Sequence, residues 1–332
     1  MAMTSPDKPE IIVNLGFPPA PAFRAAASLH QLHDNASHHE ALDRRHPLGI
    51  YNVSTSRILK KLLACCKNLE AYHHAAPTAK QLAACSALSD AVIDYLELTL
   101  YAAAEHVDDI ETIAECFFAD KDAYRRSPDV KRLKAAIKPI RARISGFTNA
   151  IKHNHCRIRL FSCDFQQQAD AVCLHGFFIE QFHNGVVGPS PLFRAGGERI
   201  ISITSFLWSV LFYLYAIAEA LHNFLAAIHV IPDTTAAEEG TPFLTETLIG
   251  LLRLPLYSFD DVHPFEVTRL IVNADDKHRA LMASNIYGSI ARRWSKSPHG
   301  GFGSLRLAYE GDGTSKSFDM GAPRNLRLQQ WD

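Results

Sequence analysis

A chain of 332 residues is long enough for one large domain or two smaller ones, and a 47% hydrophobic content supplies a sizeable core. A net charge of −1 excludes a global electrostatic pull toward nucleic acid or an anionic membrane, so any argument from charge has to be local. Seven cysteines, an odd number without a CxxC pair, read as reduced and mostly buried thiols, and the start lacks a charged-then-apolar leader pattern; both predict a cytoplasmic protein.

The chain divides into an N-terminal arm with a His-rich segment over residues 1–50, a helical bundle over 51–231 and an extension over 232–332. The arm begins Pro-rich and aperiodic, although Ile11, Ile12 and Val13 fit a short strand or a packing arm. From Pro21 to His46 the pattern reads as helical and carries His30, His33, His38, His39 and His46. His30 and His33 have a spacing that can share a divalent metal. No cysteine or well-placed carboxylate accompanies them, and Asn35 to Ser37 interrupts the helix, so they read as solvated or packed imidazoles. Neither a metal nor another cofactor is expected.

A helix is predicted from Ser54 to about His74, with Ile58, Leu62, Leu63, Cys66 and Leu69 on one side, and the segment around Pro77 ends it. A second runs from Ala79 to about Phe118. The third and best specified starts at Ser127, where an N-cap hydroxyl is followed by Pro128 and then Asp129 near the positive end of the dipole. Val130, Leu133, Ile137, Ile140, Ile144, Phe147 and Ile151 then recur at spacings of three and four, which makes one core stripe ending near His153. A basic row, Lys131, Lys134, Lys138, Arg141 and Lys152, lies beside it. A third row, Arg132, Ala135, Pro139, Ala142, Gly146, Asn149 and His153, has small members that predict a second packing face.

Between Gln81 and Asp120 there are nine acidic residues and no Lys or Arg, whereas Lys121 to Arg159 holds twelve basic residues against two acidic ones. Two consequences are open. Either the acidic and basic helices pack antiparallel and neutralise each other, or the basic row, with Arg157 and Arg159 beyond it, is an anion-binding surface for nucleic-acid phosphates.

After His153 the pattern alternates. Cys156 to Phe165 predicts a strand and Ala171 to Phe182 its hairpin partner, ending at the turn-forming His183-Asn184-Gly185; Val187 to Gly197 reads as a loop. Glu198 to His229 reads as a helix. Its uncharged run from Ile200 to Ala218 is long enough to consider as a membrane span, but Ser202, Ser205, Ser209, Glu219, His222 and Asn223 gather on one side and no second such segment exists. A buried bundle helix, and no membrane, is the expectation. Beyond a polar linker from Pro232 to Gly240, helices are predicted over Pro242 to Leu254, Pro264 to Ala274 and Lys277 to Trp294, with a final hairpin of Leu305 to Tyr309 and Ser315 to Met320. The glycines at Gly300, Gly301 and Gly303 lack the context of a phosphate loop, and no Gly-x-Ser-x-Gly elbow occurs. The fold class is therefore mainly α: an antiparallel bundle with a small β-hairpin insertion and a less regular α+β C-terminal region.

A long bundle helix ending in Asn149-Ala150-Ile151-Lys152-His153 resembles the HEPN superfamily, the nucleotide-binding helical domains of toxins and antiviral systems. The resemblance covers roughly residues 51–230. It implies a homodimer and, in members that cut RNA, a metal-independent ribonuclease site built from an Arg, a polar residue and a His on this helix. Asn149 and His153 match the polar residue and the His; Thr148 stands where the Arg belongs. On this resemblance the catalytic candidates are His153, as general acid or base, and Asn149, with Lys152, Arg157 and Arg159 holding the RNA backbone. A rival expectation from the residues alone is a non-catalytic module that dimerises through Ala135, Ala142 and Gly146 and binds a protein partner through its C-terminal region.

Overall fold

The structure, a computed structural model, describes residues 10–15, 20–33, 35–75, 85–153, 156–167, 170–183, 186–190, 200–231, 240–259, 264–266, 268–274, 277–281, 303–307, 316–320 and 324–327. In chain order the elements open with strand β1 (Glu10–Leu15) and helices α1 (Arg24–His30), α2 (Pro47–Ala75), α3 (Ser86–Glu115), α4 (Lys121–Arg126) and α5 (Pro128–His153). Strands β2 (Arg157–Gln167), β3 (Asp170–His183), β4 (Val186–Pro189) and β5 (Ile201–Ser202) follow, then helices α6 (Ile203–Ala227) and α7 (Leu244–Leu252). The remainder is β6 (Leu256–Ser258), a 3-10 turn at Pro264–Glu266, and strands β7 (Arg269–Ala274), β8 (Lys277–Leu281), β9 (Gly303–Leu307), β10 (Lys316–Met320) and β11 (Arg324–Arg327). The chain is mainly helical, with small sheets.

Local chemistry accounts for where the long helices begin. The α5 start works as its residues require: the Val130 N–H donates to Ser127 Oγ at 3.3 Å, and Pro128 occupies a position whose N–H has no helical partner. Asp120 caps α4 in the same way, accepting from the Ala123 N–H at 2.7 Å. Helix α2 begins at Pro47, seven residues before the expected Ser54, because a proline at the first helical position starts a helix rather than breaking it. The expected helix over Pro21 to His46 shrinks to α1, and turns carry most of the His-rich segment.

Ser54 lies against His106, and Glu111 meets Lys134 while Tyr101 meets Lys152, so α2 and α3, and α3 and α5, run antiparallel. Phe147 near the end of α5 packs edge-on to Phe206 near the start of α6, their ring centroids 5.8 Å apart, so α6 turns back along α5. Helix α6 is the centre of the fold: Ile203 to Trp208 and Val210 to Phe212 are all buried. It is long and apolar enough to cross a membrane, and 67% of its most apolar window is buried inside the fold. Ser202 starts it, its Oγ accepting from the Ser205 N–H at 3.2 Å.

The hairpin insertion is real and larger than its sequence signal. β2 and β3 pair antiparallel from Arg157 opposite Glu180 to Gln167 opposite Asp170. Where a loop is expected from Val187, the chain instead forms β4, which pairs back on β3 from His183 opposite Val186 to Glu180 opposite Pro189; Asn184 and Gly185 lie outside the described residues. On the far side of β3, Gly176 opposes Ser202 of β5; a Cβ at Gly176 would lie 2.9 Å from the Ile201 carbonyl oxygen, so only glycine permits this approach.

In the C-terminal region the helix over Pro242 to Leu254 appears as α7, packed on α2, where the Thr247 hydroxyl hydrogen-bonds the Phe243 carbonyl. The helices expected over Pro264 to Ala274 and Lys277 to Trp294 are corrected to strands β7 and β8, residues 282–294 lying outside the described set. The cause is tertiary: Leu270 and the β-branched Ile271 and Val272 pair in parallel with Ile11, Ile12 and Val13 of β1, burying Val13 and Val272 together. The N-terminal arm and the C-terminal extension thus share one sheet. β9 and β10 pair as the expected final hairpin, and β11 pairs with β6.

Candidate functional site

The C-terminal end of α5 carries the residues that the sequence singles out. Helical periodicity puts Asn149, Lys152 and His153 together there, and all three are exposed. Lys152 Nζ rests over the Tyr101 ring, 4.4 Å from its centroid. Tyr101 in turn donates to Glu97, and burial together with that carboxylate pushes its hydroxyl up to about 12. Thr148 faces the other way. It is 4% exposed and its hydroxyl donates back to the Ile144 carbonyl at 3.2 Å, so the position of the motif Arg points into the core.

The row of small residues on α5 is largely exposed. Ala135, Pro139 and Ala142 are exposed, as are Asn149 and His153, and Gly146 is half-buried. The second packing face expected from the sequence has no partner among the described residues. Pro139, which has no N–H to offer the Ala135 carbonyl, sits on this same open side, where water can satisfy that oxygen.

The basic row splits. Lys134 Nζ lies 3.3 Å from Glu111, and Arg141 reaches both Glu111 at 2.8 Å and Asp108 at 3.0 Å. Lys131 and Lys138 are exposed and take no ion pair among the described residues. Beyond the helix, Arg157 and Arg159 do not form a cationic patch: both turn onto the buried carboxylate of Glu180, at 2.5 and 2.7 Å. The cross-strand pairing of Arg157 with Glu180 sets this up, and Arg159, two residues on, projects from the same face. Of the seven cations predicted for nucleic acid, Lys134, Arg141, Arg157 and Arg159 are paired, while Lys131, Lys138 and Lys152 are not paired with a carboxylate among the described residues.

A second constellation has no sequence signal, because its members lie about a hundred residues apart in the chain. His175, in the middle of β3, is fully buried. Its Nδ1 is 2.7 Å from Ser162 Oγ across the hairpin, and its ring lies 4.4 Å, centroid to centroid, from both Tyr72 and His73 at the end of α2. Behind it, the Tyr257 hydroxyl accepts from the His175 N–H and donates to the His175 carbonyl. Burial, and then the neighbouring His73, drive the His175 imidazole down to about 2; burial, and then His74, drive His73 down to about 4. A further buried imidazole, His106, meets Ser54 Oγ at 2.8 Å, and burial pushes it down to about 4. Among the described residues no group of three or more His, Cys, Asp or Glu side chains is arranged to hold a metal. Cys65 and Cys66 are buried free thiols, and burial raises Cys65 to about 12.

Compared with protein-family profiles, with curated proteins and with solved structures, the chain matches none.

Proposed function

We propose that this protein is a HEPN-like helical RNA-binding protein that works as a homodimer, with the exposed end of α5 as its RNA contact. The carrying observation is the joint exposure of Asn149, Lys152 and His153 at one helix end, continuous with the open row of Ala135, Pro139 and Ala142. A second copy packed along that row brings two such ends into one assembly. Lys131 and Lys138 add positive charge along the same helix. The expected behaviour is binding without cleavage: Thr148, turned into the core, offers no cationic fork to a scissile phosphate.

Purified protein incubated with end-labelled RNA in EDTA at several salt concentrations tests this. Retention at low salt, weakened in Lys131→Glu and Lys138→Glu, is expected; three backbone contacts give a slope of log K against log salt of roughly −2. Cleavage lost in His153→Ala would replace binding alone with a metal-independent nuclease and require another residue to substitute for the missing Arg. RNA that is neither bound nor cut at low salt would sink the reading.

A second reading is favoured by one observation: Glu111, Asp108 and Glu180 absorb four of the seven predicted cations. On that reading the chain is a non-catalytic interaction module that dimerises through Ala135, Ala142 and Gly146 and binds a protein partner. Dimerisation without RNA retention, lost in Ala142→Arg, is its signature.

A further inference from the structure

The acids of α3 sort the cations of α5 into two groups. Lys134 and Arg141 turn toward α3 and hold Glu111 and Asp108. Further acids of the same half of α3 are engaged elsewhere: Glu105 with Arg57, Glu115 with Arg44, and Asp109 against Ser54 and Arg57. Lys131, Lys138 and Lys152 are exposed and take no carboxylate among the described residues. They stand seven and then fourteen residues apart on one unbroken helix. Seven residues make nearly two full turns, so the three share one face, at steps of about 10.5 and about 21 Å along the axis. Asn149 joins that face, eleven residues or about three turns after Lys138, and it too is exposed.

Resting on the RNA-binding reading above, we propose that the RNA is double-stranded and lies along this face of α5, over the whole run from Lys131 to Lys152. Rigidity is the first reason. Charges fixed along about 32 Å of helix match phosphates that are themselves fixed along a stiff duplex, whereas a single strand would have to be ordered to meet them. The second is the lack of a stacking platform. Single-strand sites stack bases on open aromatic rings, but the rings that border this row, Tyr124 and Tyr101, lie beneath Lys134 and Lys152, whose ammonium groups sit 4.8 and 4.4 Å from the ring centroids. The third is the kind of cation left free. Arg141, whose planar fork could read a base edge, is spent on Asp108 and Glu111, and the free groups are lysine point charges. Duplex RNA asks for no more, because it is recognised by shape through phosphates and the 2′-hydroxyls of its wide minor groove. The Asn149 amide, which both donates and accepts, is the group on this face suited to a 2′-hydroxyl and so to telling duplex RNA from duplex DNA.

The test is a fluorescence-anisotropy titration of the full chain, in EDTA and at several salt concentrations, with a labelled RNA duplex of about 16 base pairs, the length a shape-reading duplex domain spans. One of its strands alone and the duplex DNA of the same sequence are titrated in parallel. The expected result is binding of the RNA duplex about tenfold or more tighter than of the single strand, with duplex DNA in between. Lys131→Ala, Lys138→Ala and Lys152→Ala should each take about 1 off the slope of log K against log salt. Lys67→Ala, which removes an exposed cation of α2, should leave that slope unchanged. Asn149→Ala should narrow the preference for duplex RNA over duplex DNA and leave the slope alone. A single strand bound as tightly as the duplex would overturn the duplex assignment while leaving RNA binding itself intact. Duplex DNA bound as well as duplex RNA, or slopes that the three lysines do not move, would overturn it as well. Retention of neither RNA form at low salt would end this inference together with the reading on which it rests. The comparison of duplex with single strand needs only the native chain, so it decides the matter even where a variant does not fold.

Discussion

Tyr257 and His175 exchange two hydrogen bonds through a single oxygen: the Tyr257 hydroxyl accepts from the His175 N–H at 2.8 Å and donates to the His175 carbonyl at 2.7 Å. On β3 this residue opposes Ser162 with its side chains in contact and its own backbone groups turned away, as expected of a non-hydrogen-bonded antiparallel pair. A phenol therefore stands in for a strand where β5 ends. Tyr257→Phe removes both bonds and leaves a buried N–H and C=O unpaired. The expected destabilisation is about 2–6 kcal/mol, given about 1–3 kcal/mol for each of the two unsatisfied buried groups; urea unfolding checks it.

Glu180 is buried and shared by two arginines, so each arginine covers for the other. Arg157→Ala, removing the more exposed partner, is expected to cost under about 1 kcal/mol, and Arg159→Ala somewhat more. The double variant strands a buried carboxylate, and its loss should exceed the sum of the singles by about 1 kcal/mol or more. Additive losses in a double-mutant cycle would show that the carboxylate does not depend on the pair.

Thr148→Arg rebuilds the ribonuclease motif in sequence but not in space. The new guanidinium would enter a core position that is 4% exposed and lies among Ile144, Phe147 and their neighbours. A loss of about 3 kcal/mol or more in thermal or urea unfolding is expected, with no gain of RNA cleavage.

His106 and His175 make stability depend on pH with a definite sign. They are 1% and 0% exposed, and burial holds their folded values at about 4 and about 2 against an ordinary 6.5. Below 6.5 the unfolded chain binds protons that the folded chain refuses. Stability is thus complete above that value and declines as pH falls toward the folded values. At about pH 5 the loss is about 2 kcal/mol for each ring. Urea midpoints at about pH 7.5 and about pH 5 measure it, and His106→Gln should shrink the difference by one ring's share.

What the sequence made legible was local. Ser127, Pro128 and Asp129 announced α5, its core stripe is buried except at the half-buried Ile140 and Ile151, and the uncharged run after Ile200 is a core helix. Charge alternation between α3 and α5 also came through, as the pairs made by Glu111 and Asp108. What stayed hidden depended on partners far away in the chain. Leu270, Ile271 and Val272 follow a proline and look like the start of a helix until Ile11 to Val13 supply a neighbouring strand. Arg157 and Arg159 look like free cations until β3 brings Glu180 beneath them. The buried histidine pair joins the end of α2 to the middle of β3, and nothing in the spacing of His73 or His175 marks either one.

The parallel pairing of β1 with β7 also sets a schedule. Asn14 and Asn273, whose side chains hydrogen-bond at 2.8 Å, are separated by 259 residues. At about 5–20 residues per second of synthesis, β1 emerges roughly 13–50 s before its partner exists. During that interval the strand has an apolar edge and nowhere to pair, while α2 to α6 can already assemble from contacts closer in sequence. A segment made 259 residues before its partner is therefore among the last to find its place.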